Sequence, residues 1–449
     1  MKAQQYTKQI CGKTVAVVGL GVSNLPLIHF LLDGGAVVHA YDKNPPSEDY
    51  EALADRVTFH TGEGYLAYIE GEIIFKTPGI RPDLPAFQEA VARGAVLTSE
   101  MELFFSLCPA KIIAITGSDG KTTTTTLISK MLQRQGYRCF LGGNIGRPLL
   151  GDIDQMTDQD MVVVELSSFQ LFSMQCAPDI AVITNIAPNH LDWHVDMREY
   201  TEAKMNLFAN QGKEGVLVVN SENDLTRELK GNGETRHFSL NKEIQDGAFL
   251  KDGTLFMARD GEVIPVMKQT DIRLPGLHNV DNYLAAITAV WNLCDITAMQ
   301  DVAKAFGGVS HRIEFVREVN GARYYNDSIA SSPTRSAAGL KSFDQKIILI
   351  AGGYDKKIPF DDLGALINDR VKCLILMGQT APKIKQACEN AGTPPKTLLA
   401  ESLQQAVELA SQQAQAGDVV MLSPACASFD LFKNFEQRGN LFKEYVNAL

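Results

Sequence analysis

The segment best suited to chemistry is a glycine-rich loop that could hold phosphate. It reads TGSDGKT over residues 116–122, and it lies between an apolar, β-branched run at 112–116 and a helical stretch that ends near Gly136. Backbone N–H groups at such a strand-to-helix turn bind anions, Lys121 can reach the β- and γ-phosphates of a nucleotide, and the Thr122 hydroxyl can coordinate Mg²⁺. A glycine turn with a solvated lysine is the alternative. Because position 115 is isoleucine rather than the glycine of the common loop, we do not expect a motor protein or a GTPase.

A second glycine-rich loop near the start is a weaker nucleotide signal. Gly19-x-Gly21-x-x-Asn24 follows a strand-like run at 14–18, and Asp42 lies some twenty residues further on. This pattern approximates the dinucleotide fingerprint, although Asn24 stands where the third glycine is expected. Taken alone, the loop leaves NAD, another nucleotide and plain packing open. The better phosphate loop at 116–122 argues against a dehydrogenase.

Polar residues in the middle of the chain could place a metal ion beside the phosphate loop. Glu165 directly follows a strand-like run at 161–164, at a carboxyl end where open α/β sheets bind ligands. His190 follows the next predicted strand, and Lys204 lies in a helical stretch at 200–208. We expect Mg²⁺ with oxygen ligands, and zinc bound by His190, Asp192 and His194 is the alternative. Solvent exposure is the plain interpretation of Asp192, His194 and Lys204.

The composition is that of a globular chain of several domains. At 449 residues, with about 150 residues per domain, the prior is about three domains. A formal net charge of -11 argues against a nucleic-acid partner, because phosphate backbones select basic surfaces. No apolar run approaches the ~20 residues that span a bilayer, and the polar start lacks the pattern of a signal peptide, so we expect no membrane insertion and a cytoplasmic location. Eight cysteines without a CxxC pair predict reduced thiols.

Strand-like and helical runs alternate along the chain in three successive groups. We predict a Rossmann-like first domain over 1–98 from strand-like runs at 14–18, 36–41, 73–76 and 96–98. We predict a P-loop-type central domain over 99–308 from runs at 112–116, 161–164, 180–184 and 216–219, with antiparallel hairpins at 238–267 as an edge or insertion. A Rossmann-like third domain over 309–449 is predicted from runs at 346–351, 373–377 and 418–422. The fold class is therefore α/β, with three successive domains of mainly parallel sheets.

Several blocks of sequence, in order along the chain, resemble the Mur ligases, the ATP-dependent amide-forming ligases of peptidoglycan precursor synthesis. The blocks are GSDGKTTTT (117–125), GGNIGRP (142–148), ELSSFQL (165–171), TNIAPNHLDWH (184–194), LPGLHNVDN (274–282), HRIE (311–314), NDSIASSPT (326–334) and SPACASFDLFKNFEQRGNLF (423–442). The last block resembles the D-glutamate-adding branch of the family. Folylpolyglutamate synthetase shares the phosphate loop and the HR block but not this last signature.

The resemblance implies a set of nucleotide and metal contacts. ATP would be bound by Gly117, Ser118, Asp119, Gly120, Lys121, Thr122, Thr123, Asn279, Asn282, Arg312 and Asp327. Two Mg²⁺ ions would be held by Thr122, Glu165, His190 and Lys204, and catalysis would depend on Lys121, His190 and Lys204. In the family the lysine that matches Lys204 is carbamylated by CO₂. Such a carbamate turns a cation into an anionic oxygen ligand, which Mg²⁺ prefers.

The resemblance also implies two substrate sites. UDP-N-acetylmuramoyl-L-alanine would be bound by Val22, Ser23, Asp42, Lys43, Thr77, Gly79 and Asn144. D-Glutamate would be bound by Ser331, Lys356, Ser428, Phe429 and Phe435. Two positions depart from better-known members, because Ile329 replaces a lysine and Lys43 replaces a hydroxyl residue beside the uracil.

The resemblance implies ATP-dependent ligation of D-glutamate to UDP-N-acetylmuramoyl-L-alanine, giving ADP and phosphate, as the expected function. The resemblance implies an acyl phosphate and a tetrahedral intermediate, because a carboxylate has no good leaving group until ATP activates it. We expect a monomer that binds small-molecule substrates. The rival hypotheses are a nucleotide-dependent regulatory module and an NAD-dependent dehydrogenase, and binding of NADH would favour the latter.

Overall fold

Two compact units make up the structure, a computed structural model that describes residues 2–191, 193–274, 276–356 and 358–449. The first unit contains the chain up to Asp271 together with Val280–Lys304. The second unit contains Ile272–Asn279 and Ala305–Leu449. The first unit contains two sheets and the second unit contains one, and all three are mainly parallel with helices packed against them. Among the described residues, no helix is both long enough and apolar enough to cross a membrane.

The first sheet begins with an apolar, β-branched strand and is parallel throughout. Its elements are α1 Lys2–Ile10, β1 Thr14–Val18, α2 Asn24–Asp33, β2 Val37–Asp42, α3 Glu48–Glu51, β3 Val57–Thr61, β4 Ile73–Lys76, α4 Pro85–Ala92 and β5 Val96–Thr98. The strand order is β3-β2-β1-β4-β5. Val15 and Val17 pack into one core and Ala16 and Val18 into the other, so helices cover both faces. Because the order reverses at β1, a ligand crevice is expected between β1 and β4.

The second sheet places the phosphate loop at its centre. Its elements are α5 Glu100–Leu107, β6 Lys111–Thr116, α6 Lys121–Gln135, β7 Cys139–Gly143, β8 Met161–Glu165, α7 Ser168–Leu171, β9 Ile180–Ile183, α8 Met197–Met205, β10 Val216–Asn220, β11 Glu234–Ser239, β12 Gly247–Lys251, β13 Thr254–Arg259, β14 Glu262–Lys268, α9 Leu277–Val290 and α10 Ile296–Ala305. The strand order is β14-β13-β12-β11-β10-β9-β6-β8-β7. β6 therefore lies between β9 and β8, and the loops after these three strands meet at one edge.

Antiparallel hairpins occupy one edge of this sheet, as the sequence predicts. β12, β13 and β14 pair antiparallel through turns at Asp252-Gly253 and Asp260-Gly261, whose residues all have positive φ. Such turns match the twist of the strands that they join. β11, the strand before them, pairs parallel with β12 instead, so the antiparallel pattern begins only at β12.

The third sheet is parallel except at one edge. Its elements are β15 Glu314–Val319, β16 Ala322–Asn326, α11 Pro333–Leu340, β17 Ile347–Ala351, α12 Asp361–Arg370, β18 Val371–Leu376, α13 Ala381–Asn390, β19 Lys396–Leu399, α14 Leu403–Gln413, β20 Val419–Leu422 and α15 Phe435–Asn447. The strand order is β15-β16-β20-β17-β18-β19, with β15 and β16 antiparallel. In β17, Ile348 and Ile350 enter one core while Leu349 and Ala351 enter the other.

The predicted fold class is confirmed, because three α/β groups with mainly parallel sheets follow one another along the chain. The domain limits 1–98, 99–308 and 309–449 stay predictions; the first two sheets fall within one compact unit. The eight cysteines are all free thiols, as their spacing predicts, and most of them are buried.

We expect Gly364→Val to destabilise the second unit. Gly364 lies on α12 against α13, and an added Cβ would come within 2.5 Å of the backbone carbonyl of Ala387. Overpacking of this kind costs about 1–3 kcal/mol, because the two helices must separate. Urea unfolding followed by circular dichroism measures the loss. Gly212→Val is the matched control, since nothing lies within 4 Å of its Cβ position; equal unfolding midpoints for the two variants would contradict the prediction.

Candidate active site

The phosphate loop joins β6 to α6 through two glycines that no other residue can replace without strain. Gly117 has φ +148° and Gly120 has φ +77°. A Cβ at Gly117 would lie 1.9 Å from Thr184 Oγ1, and one at Gly120 would lie 2.2 Å from Asn282 Oδ1. The loop backbone is therefore pressed against its neighbours, and only glycine allows the approach.

The segment that follows β9 holds the phosphate loop in place through hydrogen bonds. Asn185 Oδ1 accepts hydrogen bonds from the N–H groups of Ser118 and Asp119, at 3.2 and 2.9 Å. Ser118 Oγ donates to the Ala187 carbonyl at 2.8 Å. Lys121, Thr122 and Thr123 form the first turn of α6 and are half-buried, and Lys121 Nζ donates to the Ser118 carbonyl at 2.9 Å. Asn185 was not singled out from the sequence, because its bracing contacts are long-range.

Glu165 connects the phosphate loop to the loop after β7. Its carboxylate is almost fully buried and accepts from Thr122 Oγ1 at 2.7 Å and from Asn144 Nδ2 at 2.8 Å. The Asn144 N–H also donates to the Glu165 carbonyl at 2.7 Å. Glu165, a predicted metal ligand, thus contacts both Thr122, which is predicted to bind ATP, and Asn144, which is predicted for the UDP-substrate site.

Lys204 is buried against the start of the phosphate loop. Its exposed fraction is 1%, and Nζ donates to the Gly117 carbonyl at 2.8 Å. Burial, together with the nearby ammonium of Lys121, lowers the pKa of Lys204 to about 7. The ring of Tyr200 covers the same ammonium at 4.6 Å. The interpretation of Lys204 as a solvated lysine is therefore wrong. The sequence could not show this, because the apolar and polar positions of α8 do not reveal which face of the helix packs inward.

The two histidines of the segment after β9 have different surroundings. His190 is exposed, has φ +55°, and lies edge-on to Phe169 with 4.8 Å between ring centres. His194 is buried, with Nε2 3.0 Å from Ser168 Oγ and Nδ1 3.3 Å from Glu199 Oε2. Exposure is therefore the wrong interpretation of His194. Asp192 lies outside the described residues, and the described residues contain no group of three or more His, Cys, Asp or Glu that could hold a metal ion.

A cavity of about 420 Å³ lies in the crevice between β1 and β4, where the strand order of the first sheet reverses. Four residues predicted for the UDP-substrate site line it, namely Val22, Ser23, Thr77 and Asn144. Asn24, which replaces the third glycine of the fingerprint, is buried and donates from Nδ2 to the Gly19 carbonyl at 2.6 Å. The first loop is therefore held in shape by a side-chain amide.

Lys76 and Glu100 also line this cavity, and the sequence analysis missed both. Their exposed fractions are 4% and 5%. Burial lowers the pKa of Lys76 to about 8 and raises the pKa of Glu100 to about 7. The sequence could have revealed Lys76, because it is the last residue of an apolar strand, and a charge at the carboxyl end of a parallel strand lies at the ligand-binding edge of the sheet.

The remaining residues predicted for the UDP-substrate site do not line the cavity. Both Asp42 oxygens accept backbone N–H groups at 2.8 Å, from Leu20 and from Asn44. Lys43 and Gly79 are exposed, and the Gly79 carbonyl accepts from Trp193 Nε1 at 3.1 Å. In this structure Asp42 therefore shapes the first loop.

In the second unit, Asp327 is held inside the domain at the end of β16. It is buried, its Oδ2 accepts from Ser423 Oγ at 2.7 Å, and burial raises its pKa to about 7. Arg312 is exposed next to the buried His311, whose Nδ1 lies 3.0 Å from Asn326 Nδ2. Asn279 is also buried in this unit, with Nδ2 3.1 Å from His278 Nε2, whereas Asn282 belongs to the first unit and accepts from Thr124 Oγ1 at 3.3 Å.

Three of the residues predicted for D-glutamate, Ser331, Ser428 and Phe429, lie on two loops that the buried Arg438 fixes, whereas Lys356 follows β17 and Phe435 begins α15. Arg438 is fully buried; it donates to the Ser328 carbonyl at 2.8 Å and to the carbonyls of Cys426 and Ala427 at 3.2 Å. These contacts tie the loop after β16, which carries Ser331, to the loop after β20, which carries Ser428. Ser428 is buried, Ser331 and Phe435 are half-buried, and Lys356 and Phe429 are exposed.

Known proteins match nearly the whole chain. Family models described as the Mur ligase MurD-like N-terminal domain, the Mur ligase middle domain and the Mur ligase glutamate ligase domain match residues 13–99, 115–290 and 311–426. The chain is 51% identical to the UDP-N-acetylmuramoylalanine–D-glutamate ligase of Acetivibrio thermocellus, over 100% of this chain and 99% of that protein. It is 50% identical to the protein of the same name from Clostridium beijerinckii, over 99% of each. The chain belongs to the Mur ligase family.

Solved structures of more distant proteins share the fold of this Mur ligase. The UDP-N-acetylmuramate–alanine ligase of Thermotoga maritima aligns with a TM-score of 0.58 and 17% identity, covering 97% of this chain and 99% of that one. A MurF ligase from Thermotoga maritima in complex with ADP aligns with a TM-score of 0.54 and 17% identity, covering 98% and 97%. The succession of three α/β groups along the chain is thus common to these proteins.

In this Mur ligase we expect Gly120→Ala to weaken ADP binding about tenfold or more. The new Cβ would meet Asn282 Oδ1 at 2.2 Å, and φ +77° is strained for alanine by about 1–2 kcal/mol, where 1.4 kcal/mol is tenfold in affinity. Calorimetric titration with ADP and Mg²⁺ measures the effect. Gly136→Ala, at the other end of α6, is the matched control, because it has φ +107° and nothing within 4 Å of its Cβ position. Equal ADP affinity in the two variants would contradict a phosphate-binding role for the loop.

Proposed function

We propose that this Mur ligase joins D-glutamate to UDP-N-acetylmuramoyl-L-alanine and converts ATP to ADP and phosphate. The observation that carries the proposal is the contact of Glu165 with both Thr122 and Asn144. It brings the phosphate loop next to the cavity of the first sheet, so a nucleotide on the loop and a substrate in the cavity would meet. The names of the full-length relatives support the choice of D-glutamate as the second substrate.

The chemistry requires two anions to approach each other before an amine can react. The carboxylate of the substrate attacks the γ-phosphate of ATP, ADP leaves, and the resulting acyl phosphate has a good leaving group. The neutral amine of D-glutamate then attacks the acyl carbon, the nitrogen loses a proton to the phosphate or to water, and phosphate leaves from the tetrahedral intermediate. Lys121, in the first turn of α6, is suited to neutralise phosphate oxygens, and the helix N-terminus adds N–H donors. Asn144 is suited to orient the muramoyl part of the substrate from the cavity wall.

The residues around Thr122 fit a Mg²⁺ ion. Thr122 Oγ1 and Glu165 Oε2 are hard oxygen donors 2.7 Å apart, and the carboxylate is held in place by Asn144. Mg²⁺ normally takes one or two protein ligands and completes its shell with phosphate oxygens and water, so this small donor set is sufficient. When bound, the ion supplies positive charge that lowers the repulsion between the phosphate and the carboxylate.

The proposed D-glutamate site combines the two loops that Arg438 fixes with Lys356 after β17 and Phe435 at the start of α15. The exposed ammonium of Lys356 would pair with one carboxylate, and the hydroxyls of Ser428 and Ser331 would fix the other. Phe429 and Phe435 would cover the carbon chain. Arg312, Asp327 and Asn279 would contact ATP from this unit, as the family resemblance implies.

Lys204 is proposed to carry a CO₂-derived carbamate and, with His190, to hold a second Mg²⁺. Carbamate formation needs the neutral amine, and burial provides it by lowering the pKa of Lys204 to about 7. The 2.8 Å contact of Nζ with the Gly117 carbonyl keeps the amine next to the phosphate loop. We place the reaction in the cytoplasm, where ATP and UDP-linked precursors are present, and propose that the enzyme acts as a monomer.

We expect phosphate release that requires UDP-N-acetylmuramoyl-L-alanine and D-glutamate together. D-Glutamate should be used and L-glutamate should not, because the wrong enantiomer cannot reach Lys356 and the buried Ser428 with its two carboxylates at once, and a polar group left unpaired in this way lowers the rate by about 10⁴-fold. A panel with both enantiomers and a diamino acid, read by phosphate release and product mass, tests this. Lys121→Ala should be inactive while ordered by circular dichroism. Equal rates with both glutamates, or preference for the diamino acid, would disprove the proposed substrate.

We expect Lys204→Ala to lose most activity and to regain part of it with formate or acetate, which can fill the vacated ligand position. Lys213→Ala, at an exposed lysine of the same unit, should behave as wild type. The ¹³C NMR signal of a carbamate, after incubation with labelled bicarbonate, should be present in wild type and absent from Lys204→Ala. It should grow as pH rises through about 7, because the ammonium form cannot react. Full activity of Lys204→Ala, or no carbamate signal in wild type, would refute the proposal.

A further inference from the structure

Arg81 joins two segments of the first unit that are far apart in sequence. It follows β4 and the Thr77-Pro78-Gly79 turn, and its guanidinium reaches residues that lie after β9. Nη2 donates to Glu199 Oε1 at 2.9 Å, and Nη1 donates to Glu199 Oε2 at 3.2 Å and to the Trp193 carbonyl at 3.0 Å. The two side chains of the pair are each only 23% exposed. A two-pronged pair of this kind is stronger than an exposed surface salt bridge, because both geometry and partial burial favour it.

Aromatic rings fix the plane of the same guanidinium. Its central carbon lies 4.9 Å from the ring centres of both Phe172 and Trp193. Trp193 also donates from Nε1 to the Gly79 carbonyl at 3.1 Å. Arg81 holds the pKa of Glu199 down at about 2, chiefly through the hydrogen bonds between the two groups. The turn that ends the cavity wall is therefore attached to the segment after β9 by both a charged and an aromatic contact.

The far end of this contact is the helix that carries Lys204. Glu199 lies in the first turn of α8, and Lys204 lies in the last turn of the same helix. Glu199 Oε2 is also 3.3 Å from Nδ1 of the buried His194, whose Nε2 is 3.0 Å from Ser168 Oγ. Movement of the turn at 77–79 would thus be transmitted to α8 and to the segment that begins with His190.

We propose that Arg81 is a positioning residue that sets the distance between the UDP-linked substrate and the groups that act on its carboxylate. The inference depends on the proposed function. Thr77 lines the cavity for the UDP-linked substrate, Lys204 lies against the phosphate loop, and His190 packs on Phe169, which lines the same cavity. Because Arg81 contacts neither the cavity nor the loop, its removal should change the alignment of the two sites and leave each site intact.

The test compares Arg81→Met with Arg93→Met. Arg93 is the matched control, since it donates to the Ile69 carbonyl at 2.9 Å and covers the Tyr68 ring at 4.7 Å, all within the first sheet region. We expect kcat of Arg81→Met to fall about 10- to 100-fold, because misplacement by about 1 Å costs this much. Binding of UDP alone, measured by calorimetry, and KM for ATP should stay within about twofold of wild type, since each site is intact. Arg93→Met should keep kcat.

Two further variants separate alignment from stability. Glu199→Gln should lower kcat in the same direction as Arg81→Met, and the double variant should lose less than the two single losses combined, because both variants weaken the Arg81–Glu199 pair while Arg81 also contacts Asp83 and Trp193. Arg81→Lys keeps the charge but loses the planar fork and should recover only part of kcat. Unchanged kcat in Arg81→Met, additive losses in the double variant, or equal loss of UDP and ATP binding would overturn the inference. Absence of D-glutamate-dependent turnover in wild type would instead overturn the proposed function, and the inference with it.

Discussion

A carboxylate that is almost fully buried must obtain its hydrogen bonds from the groups around it, and Glu165 obtains them from two loops that bind different ligands in the proposed reaction. Leaving such a charge unpaired costs several kcal/mol, so Thr122 and Asn144 are held in place by it. The parallel register of β7 and β8, in which Gly143 lies beside Glu165, fixes the position of Asn144. A Cβ on Gly143 would come within 2.2 Å of the Glu165 carbonyl, so the chain needs glycine there. The spacing between the phosphate loop and the cavity is therefore set by the sheet.

An acidic chain that handles anionic substrates needs its positive charge in particular places. The net charge is -11, yet Lys121 lies at the phosphate loop and Lys76 lies at the cavity. Burial makes each ammonium act more strongly on a nearby anion, because little water screens it. The same burial lowers the pKa of Lys204 and of Lys76. At Lys204 the lowered pKa favours the neutral amine, which the proposed carbamate needs.

Local patterns predicted the strands, the phosphate loop and Glu165, because each depends on a few neighbouring residues. The apolar runs of β1, β6 and β8 are readable from side chains alone, and a loop that follows such a strand must lie at the ligand edge. Lys76, Asn185 and Arg438 were missed, since their roles come from contacts with residues that are distant in sequence. The burial of Lys204 was equally hidden, because it follows from the packing of α8 against the end of β6. The assigned roles of the site residues stay predictions, whereas the family resemblance is confirmed.

Ile115 and Asn24, which stand where the common phosphate loop and the dinucleotide fingerprint have glycine, have physical consequences for the two glycine-rich loops. Ile115 continues β6 and pairs with Val182 of β9, so the phosphate loop begins late and is short. Two of its N–H groups, those of Ser118 and Asp119, are directed at Asn185 Oδ1. In the proposed function, phosphate recognition would therefore centre on the first turn of α6, where a helix directs its N–H groups along the axis. The glycine-rich loop after β1 also depends on a side-chain amide. Asn24 takes the position of the third glycine of the fingerprint, and its Nδ2 donates to the Gly19 carbonyl, which fixes the turn. In both loops a side-chain amide therefore fixes the backbone. The N–H groups at the start of the following helix, α2 or α6, would then be the donors for an anion.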